Sequence, residues 1–384
     1  MLYDIIVIGG GPSGLNCAHK LSQAGLNVLV FDKCSKIGEN KICTGIVGIE
    51  AFQRFQLSKD SILNEIRNIR IISPYGSLIE YKHPSILAYV VDREKFDAYL
   101  AHLALSKGAQ MKSKSEVITI DVSEEQVKVI AREQGVLRIY CAKVAVLATG
   151  VNFKFNKMLK LGLPEDFLYG VNAHANIKGI DTTTIHIGNS LAPGAFTWIT
   201  PIKDGWVRIG LMAKKHPRFY FKKFCEMVSN SNGPLDIASV GYKPIAQGLV
   251  SKTCTDRVIA VGETAGQVKT TTGGGIYYGL LCSEIAVQVI LKAFKKNSFN
   301  ASAFSEYEEL WKKKIGNEIK TGYYMRKMYS KLTDWQIEQL FHIAKSNGLL
   351  SFIEKRMEFD WHRNLLLSLI QTTPIGRFFS KIIQ

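Results

Sequence analysis

The sequence predicts an α/β protein in which a split, Rossmann-like dinucleotide-binding domain contains an inserted antiparallel-sheet domain and is followed by a helical C-terminal region. Three observations predict this fold. A glycine-rich turn follows an apolar strand at the start of the chain, and a second glycine-rich segment follows another apolar run near residue 260. Short strand-like runs dominate the stretch between them.

The chain opens with the pattern of a βαβ unit. Strands are predicted over Asp4–Ile8 and Val28–Phe31, with an amphipathic helix between them. Pro12 pre-sets the start of this helix, whose free N–H groups would face phosphates. Asp32 ends the second strand, at the distance from the turn that lets a carboxylate accept hydrogen bonds from ribose hydroxyls.

The turn of this unit contains glycines with separate tasks. Gly9 permits the tight turn, Gly11 lets the backbone approach a pyrophosphate, and Gly14 lets the helix pack closely on the strand. A bare G-x-G-x-x-G is a weak signal, but here a strand precedes it and a helix follows. We therefore predict a dinucleotide site, although the motif alone does not distinguish FAD from NAD.

The later elements follow in the order that a split domain requires. Asp92 is predicted to cap a helix, and a strand over Val258–Val261 leads into a helix that ends near Phe294 and returns the chain to the nucleotide domain. Further strands are predicted over Val127–Ala131, Leu137–Tyr140, Val144–Ala148, Thr184–Ile187 and Val207–Leu211.

These elements give a division into domains. Residues 1–70, 90–155 and 240–298 are assigned to the cofactor domain, residues 71–89 and 156–239 to an inserted substrate domain, and residues 299–384 to a C-terminal helical region. The last segment is amphipathic, and it either packs on the protein body or lies in a membrane interface. The apolar residues of this region are Tyr307, Leu310, Trp311, Trp335, Leu340, Phe341, Leu365, Leu366, Leu369, Ile370, Phe378, Phe379, Ile382 and Ile383.

Composition restricts the class of partner. The 384 residues are 46% hydrophobic and 21% charged, as in globular proteins, with a net charge of +16. This basic excess suits an anionic lipid surface, a phosphorylated substrate or only solubility. Because no helix-turn-helix, RNP or zinc-finger pattern accompanies it, we expect no nucleic-acid partner.

The cysteines and the apolar runs indicate a compartment. The seven cysteines are widely spaced without a C-x-x-C pair, and no Cys/His grouping has the spacing of zinc ligands. We therefore expect a reduced, cytoplasmic protein without a structural metal. An apolar strand begins directly after Asp4, and no apolar run reaches about 18 residues, so we expect neither a signal peptide nor a membrane span.

Several segments together resemble the FAD-binding signature of the para-hydroxybenzoate hydroxylase superfamily. They are the glycine turn, D-R-E-K-F-D at Asp92–Asp97, A-T-G at 148–150, and V-G-E-T-A-G at Val261–Gly266 followed by G-G-G-I. The resemblance implies FAD, with Arg93 near its phosphates and Glu263, where the superfamily usually has aspartate, near its ribityl chain. The cofactor contacts implied are Gly9, Gly11, Pro12, Ser13, Gly14, Asp32, Lys33, Lys41, Cys43, Arg93, Val117, Ala148, Thr149, Gly150, Gly262, Glu263, Gly274, Gly275 and Ile276.

The helix that begins near Gly274 suits a reduced flavin on physical grounds. Reduction places negative charge near N1 and the C2 carbonyl of the isoalloxazine. The N-terminus of a helix offers free N–H donors and the positive end of its dipole. By the resemblance, Gly274, Gly275 and Ile276 lie beside the isoalloxazine, where this helix end would stabilise the reduced form.

Within the superfamily, the chain most closely resembles the geranylgeranyl reductase family over most of its first 295 residues. P-G-A-F-T-W-I-T-P at 193–201 is similar to the substrate motif P-x-x-Y-x-W-x-F-P, with Phe196 in place of tyrosine and Thr200 in place of phenylalanine. The resemblance implies substrate contacts at Pro193, Phe196, Trp198 and Pro201. Aromatic residues between two prolines also fit a core strand at a sheet edge.

K-I-C-T-G at Lys41–Gly45 is similar to the K-x-C-G-G segment that lies near the flavin in that family, with Thr44 in place of the first glycine. The resemblance implies that Cys43 lines the active site and takes part in proton delivery. A lone cysteine is more often a small buried hydrophobe. Tyr277 and an ordered water are alternative proton sources.

The resemblance implies an isoprenoid reductase that uses reduced FAD, acts on a lipid or prenyl diphosphate, and works at an anionic membrane surface. Because no second G-x-G-x-x-G follows a strand, the electrons would come from an external donor, NADPH or a ferredoxin. A flavin monooxygenase shares the fold and is an alternative. A halogenase is disfavoured, since Phe196 and Thr200 replace residues of its W-x-W-x-I-P motif. A protein that binds FAD without catalysis is a further alternative.

Overall fold

A computed structural model of the chain describes residues 2–345 and 349–372 and contains three sheets. The strands are β1 (Leu2–Ile8), β2 (Val28–Phe31), β3 (Ile46–Gly48), β4 (Ile62–Ile66), β5 (Asn68–Ile72), β6 (Leu78–Lys82), β7 (Ala88–Val91), β8 (Gln110–Lys112), β9 (Ser115–Val122), β10 (Val127–Glu133), β11 (Val136–Leu147), β12 (Asp166–Asn176), β13 (Thr183–Ile187), β14 (Phe196–Pro201), β15 (Trp206–Ala213), β16 (Asp236–Gln247), β17 (Cys254–Thr255) and β18 (Val258–Ala260). The helices are α1 (Pro12–Gln23), α2 (Ile49–Phe55), α3 (Arg93–Ser106), α4 (Lys154–Met158), α5 (Pro217–Asn232), α6 (Ile276–Lys296), α7 (Ala301–Trp311), α8 (Asn317–Tyr329), α9 (Asp334–Lys345), α10 (Leu349–Glu354) and α11 (Arg363–Thr372).

The first sheet contains the strands of the expected nucleotide-binding domain, in the order β17-β18-β11-β1-β2-β8. β1 runs parallel to both of its neighbours, β2 and β11. Its side chains alternate between two cores: Ile5 and Val7 pack with α1, α3 and α6, whereas Ile6 and Ile8 pack toward the hairpin of β9 and β10. Because both faces of β1 are buried from Ile5 to Ile8, this part of the strand is apolar throughout, as parallel strands in covered sheets are.

β11 corrects the expected division of this region into strands over Leu137–Tyr140 and Val144–Ala148. It is one continuous strand whose first half pairs antiparallel with β10 and whose second half pairs parallel with β1 and β18. The less apolar segment between the two predicted strands stays extended because it is paired on both sides. Cys141, for example, is opposite Lys128 in β10 and opposite Leu2 in β1.

The second sheet has the order β16-β12-β15-β14-β13-β5-β6 and is antiparallel except where β13 meets β5. One face is covered by α5, whose Phe221, Phe224 and Val228 pack on the apolar side chains of β12 and β15. The opposite face is turned toward the glycine loops of the nucleotide domain. β14 lies between β13 and β15, so the interpretation of this motif as an edge strand is wrong.

Two strands extend the second sheet beyond the segments 71–89 and 156–239 that the sequence assigned to the substrate domain. β5 begins at Asn68, and β16 continues to Gln247. The sequence pattern did not predict β16, because this strand contains Gly241 and Pro244, and glycine and proline are rare inside strands. Among the described residues it pairs only with β12 and is therefore an edge strand, where proline is tolerated.

The C-terminal helices pack on the nucleotide domain. Tyr307 and Trp311 of α7 are completely buried, as expected, but Leu310 and Trp335 are 38% and 59% exposed and are not anchors. Leu365 of α11 is buried, and this helix packs against α8. The second half of the amphipathic pattern lies outside the described residues. It consists of Pro374, Phe378, Phe379, Ile382 and Ile383.

α6 is the long helix at the centre of the nucleotide domain. It is the one helix in the described part of the chain that is long and apolar enough to cross a membrane by length and composition. In the structure 67% of its apolar window is buried inside the protein, where it packs on α1 and α7. α6 therefore serves here as a core helix.

Candidate cofactor and substrate site

The first glycine turn has the geometry of a phosphate-binding loop. Gly9 has φ +113°, and a Cβ there would overlap the carbonyl oxygen of Ala148. A Cβ at Gly14 would overlap the carbonyl oxygen of Gly9. Gly11 differs: its backbone is extended, with φ −89° and ψ 175°, and nothing lies within 4 Å of an added Cβ. Gly9 and Gly14 thus close the turn, and Gly11 borders open space that a pyrophosphate would fill.

Asp32 holds this loop in shape. Its Oδ2 accepts a hydrogen bond from the N–H of Gly10 at 2.8 Å, and its Oδ1 accepts one from the N–H of Cys34 at 2.8 Å. The side chain is buried at the end of β2. Since each carboxylate oxygen has a second lone pair, the group can still accept from a ribose hydroxyl.

The second glycine loop meets the first at Ser13. An added Cβ at Gly262 would lie 2.6 Å from the Ser13 Oγ, and one at Gly279 would overlap the same oxygen. A buried chain of hydrogen bonds fixes the loop from behind: Gly262 N–H donates to Gln267, which donates to Tyr307, which in turn donates to the carbonyl of Ala260. The N-termini of α1 and α6 are therefore held side by side.

The start of α6 is free of side-chain capping. Gly275 is its N-cap, with no side-chain hydrogen bond, whereas the N-terminus of α3 is capped by Asp92, which accepts from two backbone N–H groups. Just before it, Gly273 faces the second sheet, and an added Cβ would lie 2.7 Å from the Met212 Sδ. The helix terminus expected beside the isoalloxazine thus adjoins the expected substrate domain.

Other positions of the expected cofactor set are spread around these loops. The Thr149 hydroxyl donates to the carbonyl of Asn152, and Gly150 has φ +63° with open space at its Cβ position. Val117 is buried in the core beneath the β9–β10 hairpin. Lys33 is exposed and Lys41 is partly exposed.

Cys43 lies among positively charged groups. Its sulfur accepts a hydrogen bond from the N–H of Gly45 at 3.3 Å and one from the Arg93 guanidinium. The buried Asp97 holds Arg93 through two hydrogen bonds of 3.1 and 2.8 Å. Burial opposes ionisation of the thiol, but the charges of Arg93 and Lys243 and these hydrogen bonds outweigh it, so the pKa of Cys43 is lower than usual.

Glu263 is bound from the second sheet. Its Oε2 accepts a hydrogen bond from the Lys243 Nζ at 2.6 Å, and Lys243 belongs to the edge strand β16. The other carboxylate oxygen of Glu263 keeps its acceptor capacity, which the expected ribityl contact requires. The ion pair connects the two sheets beside Cys43.

Arg208 clamps the Cys43 segment onto the second sheet. Its Nη1 donates to the carbonyls of Thr44 at 2.5 Å and Val91 at 2.9 Å, and its Nε donates to His174 Nε2 at 3.2 Å. Gly45, at φ +70°, leaves room for the guanidinium, since a Cβ there would come within 2.5 Å of Nη1. Burial and the neighbouring Arg208 charge lower the pKa of His174.

The aromatic motif forms an apolar wall on the face of the second sheet that is turned toward the glycine loops. Phe196 and Trp198 form an edge-to-face pair with centroids 5.9 Å apart, and they pack with Leu168 and Met212. Trp198 Nε1 is buried and has no hydrogen-bond partner among the described residues. Pro193 precedes β14 in a loop, and Pro201 ends it and accepts a hydrogen bond from Asn64 through its carbonyl.

Tyr277, the alternative proton source, is already engaged. Its hydroxyl donates to Glu50, and its ring packs edge-on against Phe55 and Trp361 in the core. Burial, reinforced by the Glu50 carboxylate, raises the pKa of Tyr277 well above its ordinary range. Both effects make it a poorer acid than Cys43.

A C-terminal segment, residues 359–363, crosses the second glycine loop, and we call it the strap. Lys269 and Asp360 form an ion pair of 2.6 Å in which both side chains are buried. The Thr271 hydroxyl lies 2.6 Å from His362 Nδ1, and Tyr278 donates to the carbonyl of Asp360. The strap therefore fixes the loop that leads to the N-terminus of α6.

Sequence reasoning missed Arg208, Lys243 and the Lys269–Asp360 pair. Arg208 carried a usable signal, because a single arginine inside the apolar run W-V-R-I-G-L-M predicts a buried charge that needs partners. Lys243 and Lys269 carried none, since their partners are remote in sequence or belong to no motif.

The comparisons with known proteins agree with this architecture. The family model for pyridine nucleotide-disulphide oxidoreductases matches residues 3–184. A digeranylgeranylglycerophospholipid reductase of Methanocaldococcus jannaschii is 29% identical over 88% of this chain and 90% of its own length. A geranylgeranyl bacteriochlorophyll reductase-like structure from Thermoplasma acidophilum superposes with a TM-score of 0.89 at 21% identity, covering 99% of this chain and 98% of that one. A p-nitrophenol 4-monooxygenase from Pseudomonas putida has the same fold at a TM-score of 0.73 and 16% identity, covering 92% of this chain and 97% of that one.

Proposed function

We propose that the chain is a member of the geranylgeranyl reductase family of flavin-dependent oxidoreductases, and that it saturates carbon–carbon double bonds in the geranylgeranyl chains of an isoprenoid lipid. The relative named digeranylgeranylglycerophospholipid reductase supports a glycerophospholipid as the substrate class. Within this chain, one observation carries the proposal: Gly273, beside the N-terminus of α6, lies so near the apolar wall of Phe196, Trp198 and Met212 that an added Cβ would come within 2.7 Å of the Met212 Sδ.

We propose FAD, rather than FMN, as the flavin. The open space beside Gly11 suits the pyrophosphate, and Asp32 at the end of β2 suits the adenosine ribose, and FMN has neither group. When it is bound in its reduced form, the flavin supplies a hydride to one carbon of the double bond. The uncapped N-terminus of α6 would stabilise the negative charge of that reduced form.

The substrate chain is proposed to lie against the wall formed by Phe196, Trp198 and Met212. This wall is apolar, and its edge-to-face rings give it a fixed shape. Such a surface excludes water from the reacting carbons and orients the alkene, both of which hydride transfer to an isolated double bond requires.

Cys43 is proposed to supply the proton. Addition of hydrogen across the alkene needs a proton at the second carbon, and the thiol that gives it becomes a thiolate. Arg93, Lys243 and the N–H of Gly45 surround the sulfur and stabilise that thiolate. A lowered pKa therefore makes Cys43 a stronger acid without the need for a metal ion.

The remaining partners are proposed from the chemistry. Two electrons must enter the flavin for each double bond, and an external donor such as NADPH or a ferredoxin would provide them. A lipid substrate and a net charge of +16 favour a cytoplasmic protein that attaches to an anionic membrane surface.

The test is reduction of a geranylgeranyl lipid by the chemically reduced protein without oxygen, followed by mass spectrometry of the product. We expect a gain of two hydrogens for each double bond saturated, and flavin reoxidation that depends on the lipid. An unchanged lipid under these conditions, together with an oxygenated product in air, would assign the protein to the monooxygenases instead.

A further inference from the structure

We infer that the protein docks on an anionic phospholipid bilayer through one surface, the basic aromatic patch, formed by Tyr169, Lys215, Arg218, Phe219, Val240 and Tyr242. The patch lies on the α5 face of the second sheet, where the sheet is left uncovered beyond the N-terminus of α5. The inference rests on the proposed function for one premise, that the substrate is a lipid held in a bilayer.

The patch exposes apolar side chains that the fold does not need at its surface. Phe219 is 63% exposed at the first turn of α5, although Phe221 and Phe224 of the same helix are buried. Tyr169, Val240 and Tyr242 are 44%, 43% and 40% exposed. Exposed aromatic residues that cluster in this way mark an interaction site, because isolated ones are normal but contiguous ones are not.

Sheet geometry brings these residues together. Tyr242 is opposite Val171, and Tyr169 is two residues before Val171, so all three point to the α5 face. The Arg218 guanidinium lies 5.1 Å from the Tyr242 ring centroid and joins the helix to the sheet. Tyr169 is also paired with Ala213, which directly precedes the lysine-containing turn into α5.

The charge of the patch is positive and partly uncompensated. Residues 205–225 contain no acidic residue. Lys214 pairs with Asp166 and Lys222 with Glu226, but among the described residues neither Lys215 nor Arg218 forms an ion pair. Exposed cations around exposed aromatic rings suit a surface of phosphate headgroups over acyl chains.

The strand edge at this patch does not favour a second protein strand as the partner. β16 is an edge strand, but Pro244 lacks an N–H and the pairing with β12 is irregular between Asn172 and His174, where Ser239 has φ +51°. Both features make an edge strand less able to pair with a strand of another chain. A lipid surface needs no such hydrogen bonds.

The position of the patch connects docking to the active site. On the opposite face of β16, Ile42 covers Gly241, where an added Cβ would lie 2.5 Å from its Cγ1. Ile42 is 37% exposed and is the neighbour of Cys43. A single strand therefore separates the docked surface from the segment that carries the proposed proton donor, and lipid would enter past this edge.

The experiment is vesicle flotation of the full chain with phosphatidylglycerol or phosphatidylcholine vesicles at low and high salt. We expect wild type to float with phosphatidylglycerol at low salt and to be released by salt. The double variant Arg218→Glu/Phe219→Ala should partition at least about tenfold less, because it makes the patch two charge units more negative and removes the exposed ring that would insert into the bilayer. The matched control is Lys295→Glu/Leu137→Ala, which makes the same charge change and removes an exposed apolar side chain elsewhere.

The proposal is overturned if the two double variants float alike, or if wild type binds phosphatidylcholine equally at all salt concentrations. It is also overturned if the Arg218→Glu/Phe219→Ala variant only converts a dimer into a monomer in light scattering, since the patch would then join copies of this chain. Turnover of detergent-dispersed lipid separates this inference from the proposed function: the patch variant should retain it. If no isoprenoid lipid is reduced but the flotation difference holds, the docking surface stands and the proposed reaction fails.

Discussion

The indole ring of Trp198 lies directly on Gly210, so closely that a Cβ at position 210 would come within 2.5 Å of its Cζ2. Strand pairing enforces this contact, because the two residues are opposite each other in β14 and β15. The small residue lets the ring lie flat along the sheet and form the apolar wall.

Gly210→Ala should therefore displace the indole and weaken substrate binding by about tenfold, which corresponds to an overpacking cost of roughly 1–3 kcal/mol. The measurement is the KM for the isoprenoid lipid in a double-mutant cycle with Trp198→Ala. Because the ring is absent in that background, the part of the effect that acts through the indole should disappear there, and only the overlap of the new Cβ with the Val171 carbonyl oxygen, at 2.4 Å, should remain. Equal effects in both backgrounds would mean that the alanine acts only on the backbone, through the nearby carbonyl of Val171.

Gly11→Val should abolish flavin binding without unfolding the protein. The backbone at Gly11 is extended and no atom lies within 4 Å of the new Cβ, so the apoprotein tolerates the side chain. The pyrophosphate does not tolerate it, because the valine occupies its space. The test is the flavin absorbance of the purified protein together with the melting temperature of the apoprotein.

Gly14→Ala is the contrasting variant for that experiment. Its Cβ would overlap the carbonyl oxygen of Gly9, so it should lower the stability of the apoprotein as well as its flavin content. Full FAD occupancy in Gly11→Val would refute the assignment of this loop to phosphate.

Lys243→Met should raise the pKa of the Cys43 thiol. The Lys243 charge favours the thiolate, so its removal shifts ionisation to higher pH and lowers the thiolate fraction at pH 7. The expected result is slower alkylation of Cys43 by iodoacetamide at neutral pH, with a pH profile displaced upward, followed by peptide mass spectrometry. Lys41→Met removes the same charge from the Cys43 segment at a position that is not among the main causes of this shift, and it should leave the profile nearly unchanged.

The Lys243 variant also leaves Glu263 without its partner, and that carboxylate would itself oppose thiolate formation. Lys243→Met/Glu263→Gln removes both charges and separates the two effects. If the alkylation pH profile of the double variant equalled that of wild type, the whole shift in the thiol pKa would come from the unpaired Glu263. Lys243 would then have no direct effect on the thiol.

Cys43→Ala should lower kcat for alkene reduction by about 100-fold or more, the usual contribution of a general acid, and leave flavin absorbance unchanged. Anaerobic single-turnover reoxidation of the reduced flavin by lipid measures this step directly. Cys34→Ala removes the other partly buried cysteine of the segment between β2 and β3, and this variant should behave like wild type. Unchanged single-turnover rates in Cys43→Ala would mean that water, and not Cys43, delivers the proton.

Lys269→Met should destabilise the protein by roughly 3–5 kcal/mol, because it leaves the Asp360 carboxylate buried without a counter-charge. Chemical denaturation of the apoprotein measures the loss. Lys269→Met/Asp360→Leu should recover most of it, since an apolar pair of similar volume has no unpaired charge. A single variant as stable as wild type would show that the strap does not depend on this ion pair.

The elements that could be predicted from sequence are those whose pattern is local. β2 was predicted with its observed bounds, and Asp92 caps α3 as expected, because an apolar run and a capping side chain are both visible within a few residues. β11 was divided wrongly because its continuity depends on pairing with β1 and β10, which no local pattern reports.

The site divides in the same way. The glycine turns could be located because such turns recur as sequence motifs. Each glycine has a local reason: an added Cβ would clash with a neighbouring group or would fill an open space. Arg208 could not be connected to Cys43, since 165 residues separate them and only the folded sheets bring the guanidinium to the Thr44 carbonyl. The pairing of Lys243 with Glu263 likewise exists only because an edge strand of one sheet passes a loop of the other.

The strap determines when the cofactor site can be completed during synthesis on the ribosome. The second glycine loop cannot reach its final packing until residues 359–363 have emerged, because Asp360 supplies the buried partner of Lys269. β1 likewise lacks its parallel partner β11 until that strand, which begins more than a hundred residues later, has been synthesised. A nascent chain that stops short of the strap thus carries the first glycine turn complete, while Lys269 beside the second glycine loop still lacks its buried partner.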